Sequence, residues 1–206
     1  MVAKPLFSLI TFVGFTFGIA AGLLIYLWVF NELNFDKFHM DYQQIYRVLT
    51  LSKQGNEILK SAGCYRPVPA TLKRDYPQIE YATYLSYGSE DSPLQKEEGG
   101  EKIEALPVWV NNDFFSILNG FTFIEGEAFD AIQNPSGIIL TEKVARKIFG
   151  NEPALGKTII IDKYTKEVYT VTGVVRIPLQ SHIDFGYILT EVNREVAGYS
   201  NHWGDK

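Results

Sequence analysis

Residues 6–30 read LFSLITFVGFTFGIAAGLLIYLWVF, and their only polar side chains are Ser8, Thr11, Thr16 and the amphipathic Tyr26 and Trp28. Wound as a helix rising about 1.5 Å per residue, the run reaches roughly 37 Å, enough to cross a hydrocarbon core of about 30 Å with some tilt. A cleaved leader has a shorter apolar region, about 7–15 residues, ending at a small-x-small site. Here Gly18-Ile-Ala-Ala-Gly22 sits inside the run with eight apolar or aromatic residues after it. A soluble core helix of this length would carry a charged face. The expectation is an uncleaved spanning helix.

Outward from this run the charge changes abruptly. Of the protein's 19 Lys and Arg and 24 Asp and Glu, only Lys4 precedes the run, which leaves 18 basic and 24 acidic residues and a charge of −6 from Glu32 onward. Lys4 on one flank and Glu32, Asp36 and Lys37 on the other favour an amino terminus inside and a large domain outside. Nucleic acid is excluded as a partner, because phosphate neutralisation needs a basic stripe and the sequence has none. Gly14, Gly18 and Gly22 recur every four residues along one helical face, a spacing that lets a second helix approach closely.

Past Asn34 the polarity is mixed. Residues 35–44 place aromatic and polar side chains at near-helical spacing, a short amphipathic connector. Residues 45–53 (IYRVLTLSK) alternate like a half-buried strand, and 67–76 open on Pro and close before Pro77 like a helix. Strands are expected over 82–87, 108–110, 138–140 and 183–190, with a solvated loop over 89–104 and a short helix capped by Asn112-Asp113. Thr141-Glu-Lys-Val-Ala-Arg-Lys-Ile-Phe149 has a Thr cap, helical apolar spacing and Gly150 as its stop. The β-branched runs 158–161 and 168–175, joined by polar residues, read as a hairpin. The polar stretch 191–206 yields no element. The fold class is therefore α+β: one amino-terminal transmembrane helix, then a mixed α/β domain.

No motif supplies chemistry. Gly150 to Gly156-Lys157-Thr158 has five residues between its glycines where the phosphate loop has four, and a helix precedes it where that loop needs a strand. There is no nucleophile elbow and no catalytic-cysteine signature around Cys64, which also has no disulfide partner. Glu97, Glu98 and Glu101 share a hydrophilic loop with lysines. His182 and Asp184 are two ligands where a metal site needs more, and Asn134-Pro-Ser is no glycosylation acceptor. Catalytic, cofactor-binding and metal-ligating residues are none, and the chain is not expected to be an enzyme.

Asn31-Glu-Leu-Asn-Phe-Asp-Lys-Phe-His39, running on to Gln44-Ile-Tyr-Arg-Val48, resembles the exit from the first membrane helix of MacB/FtsX-like ABC transporter permeases, in the form common in Bacteroidetes. Pro107-Val-Trp-Val-Asn-Asn-Asp-Phe-Phe115, Ile138 to Gly150, Gly156-Lys-Thr158 and Tyr169-Thr-Val-Thr-Gly-Val-Val175 are similar to that family's periplasmic core domain, in the same order. The resemblance implies a permease subunit of a type VII ABC transporter in the cell inner membrane, single-pass in this chain, with its large domain in the periplasm. It divides the chain into 1–33, a short cytoplasmic amino terminus and the transmembrane helix, and 34–206, the periplasmic core domain with an inserted, mostly β subdomain at about 104–175. Members carry three further helices, and no second span precedes Lys206, so the implied protein is part of a permease.

The implied function is to couple ATP hydrolysis by a separate cytoplasmic ABC ATPase subunit to periplasmic movement and export or efflux. The implied partners are that ATPase, a second permease subunit in a homo- or heterodimer, the lipid bilayer and a periplasmic adaptor protein. Such coupling needs a stiff junction. Residues 32–44 contain no Gly or Pro, and Glu32, Phe35, Phe38 and Tyr42 are the expected membrane–domain junction, a continuous, side-chain-packed stalk. A membrane-anchored extracytoplasmic sensor, a protein-interaction domain and an anchored hydrolase remain as alternatives from other classes; the last would need a converging polar constellation in a pocket.

Overall fold

The apolar run folds as a single helix, α1 (Pro5–Glu32), 28 residues and so about 42 Å long. The computed structural model describes residues 5–88, 92–162 and 166–196. Segments 1–4, 89–91, 163–165 and 197–206 lie outside these, and with them Lys4 and parts of the expected amino terminus, loop, hairpin joint and polar tail. From Phe7 to Glu32 every residue of α1 is exposed, and that segment is long and apolar enough to cross a membrane. A helix apolar on all sides and unburied by protein needs lipid around it. Its two threonine hydroxyls are satisfied internally: Thr11 donates to the Phe7 carbonyl and Thr16 to the Phe12 carbonyl, both at 2.9 Å.

The connector expected over 35–44 is not a continuous helix despite its near-helical spacing. The chain turns through 33–41 and makes a single 3-10 turn at Tyr42–Gln44. Asp36 explains the break: its φ of 57° is left-handed, a conformation incompatible with a continuing right-handed helix. The next strand starts later than its sequence pattern suggests, as β1 (Thr50–Gln54), and pairs antiparallel with β2 (Glu57–Ser61). This hairpin stands apart from the main sheet, with nearly every residue exposed.

The remaining elements follow as α2 (Val68–Asp75), β3 (Leu85–Tyr87), β4 (Leu94–Gln95), β5 (Pro107–Val110), α3 (Phe114–Ile117), β6 (Thr122–Glu125), α4 (Ala128–Gln133), β7 (Gly137–Thr141), α5 (Glu142–Phe149), β8 (Thr158–Asp162), β9 (Lys166–Arg176), β10 (Tyr187–Thr190) and α6 (Glu191–Val196). Eight strands form one mixed sheet in the order β3-β5-β10-β7-β9-β8-β4, with β6 added against β9. β10 runs parallel to β5 and β7 parallel to β9, while the other pairs are antiparallel. The segment 104–175, expected as an inserted subdomain, shares this sheet with flanking strands: β5 pairs β3 and β10, and β7 pairs β10.

The sheet is covered on both faces, and the pleat sorts its side chains. From β7, Ile138 and Leu140 join Val144, Ala145 and Phe149 of α5, while Ile139 joins Phe114 of α3 and Ala131 and Ile132 of α4 on the opposite face. From β10, Tyr187 and Leu189 go one way and Ile188 the other. These central strands are therefore apolar on both faces up to their final threonines, as strands buried on two faces must be. The Thr141 hydroxyl accepts from the Val144 amide and Gly150 ends α5, both as the sequence implies.

Two local expectations are corrected. The loop expected over 89–104 is not wholly solvated: Ser92, Leu94 and Gln95 are buried, and Leu94 is fully enclosed as β4 closes the edge beside β8. The Tyr187 hydroxyl donates to the Ser92 carbonyl at 3.1 Å, and burial raises that phenol's pKa. Asp113 makes no side-chain cap for α3; its carboxylate instead takes the Lys73 ammonium at 2.6 Å and the Ala82 amide at 3.1 Å.

Candidate functional site: the membrane–domain junction

Any motion of α1 reaches the sheet through residues 33–41. The helix unwinds gradually here, with backbone bonds from Leu33 to Val29, Asn34 to Asn31 and Phe35 to Glu32, and the Asn34 side chain donates to the Phe30 carbonyl at 2.8 Å. That amide satisfies one carbonyl the helix end would leave open.

Two loops receive the chain that follows. They leave the sheet at the same place, because Thr122 of β6 is in register with Arg176 of β9; the segment before the one and after the other are neighbours. In the loop between β9 and β10, the Gln180 carbonyl accepts from the Asp36 amide at 2.9 Å. The Asp36 carboxylate in turn accepts from the His182 amide at 3.0 Å and lies 2.8 Å from His182 Nδ1. A carboxylate only accepts, so Nδ1 is the protonated ring nitrogen of His182. The Phe35 ring packs on the same imidazole, with centroids 4.4 Å apart.

In the loop between α3 and β6, the Gly120 amide donates to His39 Nδ1 at 3.0 Å, and the Met40 amide donates to Asn119 Oδ1 at 2.9 Å. His39 is buried, its ring 5.6 Å from that of Phe121. Phe38 lies across Gly120 so closely that a β-carbon there would overlap both its ring and its carbonyl. Phe121 then stacks on Phe114 and meets Phe185 edge-on, which carries the contact into the core under α3 and α4.

Because His39 Nδ1 accepts a hydrogen bond, its imidazole is neutral with the proton on Nε2. Burial pushes its pKa below the ordinary 6.5, against an opposing pull from the Asp36 charge. The folded state thus binds fewer protons here than the unfolded chain. This contribution to stability is complete above the unfolded pKa and is lost as pH falls through it toward the folded value. Urea unfolding of the detergent-solubilised chain at pH 7.5 and 5.5 should show a lower midpoint at the acid pH, with a smaller drop in His39→Gln. An equal drop in both proteins would exclude His39 as the group responsible.

Of the four residues expected at the junction, the structure brings Phe35 and Phe38 onto the domain. Glu32 is exposed at the end of α1, and Tyr42 is exposed with its hydroxyl accepting from the neighbouring Gln43 amide. The stalk is therefore a pinned turn in place of a continuous rod. Asp36, His39, Asn119, Gly120 and His182 carry it and escaped the sequence reading, because their partners lie 79 to 146 residues away. Gly14, Gly18 and Gly22 have nothing within 4 Å of where a β-carbon would sit, so that strip of α1 is open.

Comparison with known proteins adds the following. The family model described as MacB-like periplasmic core domain matches residues 8–201. No curated protein sequence matches. A crystal structure of a domain of a permease protein from Porphyromonas gingivalis superposes with a TM-score of 0.60 at 21% identity, covering 75% of this chain and 65% of that one. The periplasmic region of MacB from Actinobacillus actinomycetemcomitans gives 0.49 at 21% identity, over 66% of this chain and 60% of that one. The chain thus spans just under two thirds of these structures, and the likeness is one of fold.

Proposed function

The chain belongs to the MacB-like periplasmic core domain family of ABC transporter permeases, and from that premise we propose that it is the part of a permease that carries movement from the membrane to a periplasmic domain. In this reading residues 1–33 are a cytoplasmic amino terminus and spanning helix in the inner membrane, and 34–206 stand in the periplasm. A separate cytoplasmic ATPase hydrolyses ATP, and the chain itself performs no chemistry. The open strip of Gly14, Gly18 and Gly22 faces a helix of a second permease subunit, and the outer end of the domain meets an adaptor. The movement drives export.

One observation carries this reading. The end of a helix suited to lipid is bonded through Asp36 and His39 to two loops at a single end of the sheet, so displacement of α1 must displace the sheet or break those bonds. Asp36→Gly tests it, since glycine keeps the left-handed backbone and removes only the carboxylate. In proteoliposomes carrying the full-length permease with its ATPase, transport should fall several-fold while ATP hydrolysis is retained. Transport equal to wild type would defeat the proposal.

A further inference from the structure

The two links of the junction use histidine in opposite senses. His39 Nδ1 accepts from the Gly120 amide at 3.0 Å, whereas His182 Nδ1 donates to the Asp36 carboxylate at 2.8 Å. An added proton therefore acts on them in opposite directions. An imidazolium carries an N–H on both ring nitrogens and accepts nothing, so a protonated His39 sets donor against donor at Gly120. Turning the ring over gives no relief, because Nε2 already holds a proton. The ring is also packed too closely to swing clear: His39 is 3% exposed, with the Phe38 ring centroid at 4.2 Å and that of Phe121 at 5.6 Å.

At His182 the new proton goes to Nε2 on an exposed side chain and leaves the Nδ1 proton in place. The contact with Asp36 becomes a charge-assisted bond between imidazolium and carboxylate, stronger than the neutral one. Two further bonds of this link, the Asp36 amide on the Gln180 carbonyl and the His182 amide on the Asp36 carboxylate, do not involve the titrating ring. The surrounding charges are few. Asp36 acts on His39 and pulls toward protonation, against burial. Lys37 Nζ sits on Asn34 Oδ1, Asp41 is exposed, and Asp184 acts on Tyr87. The loop between α3 and β6 brings Asn119, Gly120 and Phe121, none of them ionisable, with Phe114 and Phe185 packed on Phe121.

We propose that the junction is an acid-released hinge: protonation opens the His39–Gly120 link and tightens the Asp36–His182 link, leaving α1 held to the domain at one loop, about which the domain turns. The Met40 amide on Asn119 Oδ1 is then the last hydrogen bond to the other loop, and it is exposed, so water replaces it readily. This regulation rests on residues 33–41 being the route by which movement reaches the sheet. It adds a control on that route, with two links near neutral pH and a loosened joint in acid.

Amide hydrogen exchange reads each link directly. The 206-residue chain is compared in detergent micelles at pH 7.5 and 5.0, with rates referred to the unfolded chain at the same pH. Protection of residues 118–123, which contain the Gly120 amide, should fall several-fold in acid, while that of residues 180–184, which contain the His182 amide, should hold or rise. In His39→Asn the fall should vanish, since the Asn oxygen accepts near the place of Nδ1 and gains no proton. In His182→Asn it should persist. Unchanged protection at 118–123 overturns the inference, as does an equal fall in both segments, which is loss of the whole junction, or a fall that survives in His39→Asn. Should His39→Asn also lose the protection of β7 and β9, it has not folded, and His182→Asn decides: absence of the fall there overturns the inference. The measurement needs neither ATPase nor cargo, so its failure leaves the coupling reading standing, and wild-type transport in Asp36→Gly would defeat that reading without changing the exchange result.

Discussion

Two Gly-Ser pairs inserted after Leu33 of the full-length permease are expected to abolish transport while hydrolysis by its ATPase continues. The site lies between the last backbone bond of α1, Leu33 to Val29, and the first bond to the domain, Asp36 to Gln180. Every clamp is on the far side of the insertion, so the sheet, the two loops and residues 36–41 keep their contacts. What changes is slack. Four flexible residues span about 11 Å on average and resist neither rotation nor axial displacement. Movements of a helix in a transport cycle would be absorbed there before they reached Asp36. Reconstituted transport that survives the insertion would mean that movement reaches the domain by another route, and the junction would lose its assigned role.

Asn193→Ala is expected to destabilise the domain by about 3 kcal/mol or more. The Asn193 side chain is buried at the third position of α6. Its Oδ1 accepts from the Thr190 amide at 2.6 Å and the Thr190 hydroxyl at 2.8 Å, and its Nδ2 donates to the carbonyls of Pro135 at 2.6 Å and Gly137 at 3.2 Å. The first pair is half of a capping box, with Asn in the place of Glu or Gln. The second ties the end of β10 to the turn that starts β7. Truncation leaves several buried polar groups without partners, each at about 1–3 kcal/mol. Urea unfolding of the solubilised chain would register this as a lowered midpoint at unchanged slope. A loss below about 1 kcal/mol would mean water replaces the amide and that this staple is not what holds β10 to β7.

These two sites lay differently open to sequence reading. The helix α1 follows from composition alone, because 25 residues without charge satisfy their backbone internally and have no need of the rest of the chain. The α5 cap at Thr141 and the antiparallel pairing of β8 with β9 are equally local, since every group that defines them lies within a few residues or on the next strand in sequence. Thr190 and Asn193 stand only three apart, yet α6 was invisible: its polar residues show no apolar period, and the cap uses Asn at a position where Glu or Gln is the recognised signal.

The junction shows where local information stops. Phe35 and Phe38 were legible because aromatic residues just beyond a membrane helix must pack on something. That Asp36 would turn left-handed, that His39 would be buried on Gly120, and that Gln180 and His182 would meet Asp36 depended on β6 aligning with the end of β9. By itself the sequence determined a membrane-length helix, an acidic α+β domain and the resemblance to a permease family, all set by short-range periodicity and composition. The tertiary structure alone decided how that helix is fastened to the domain, since hydrogen bonds between residues 79 to 146 positions apart exist only once the sheet has chosen its strand order.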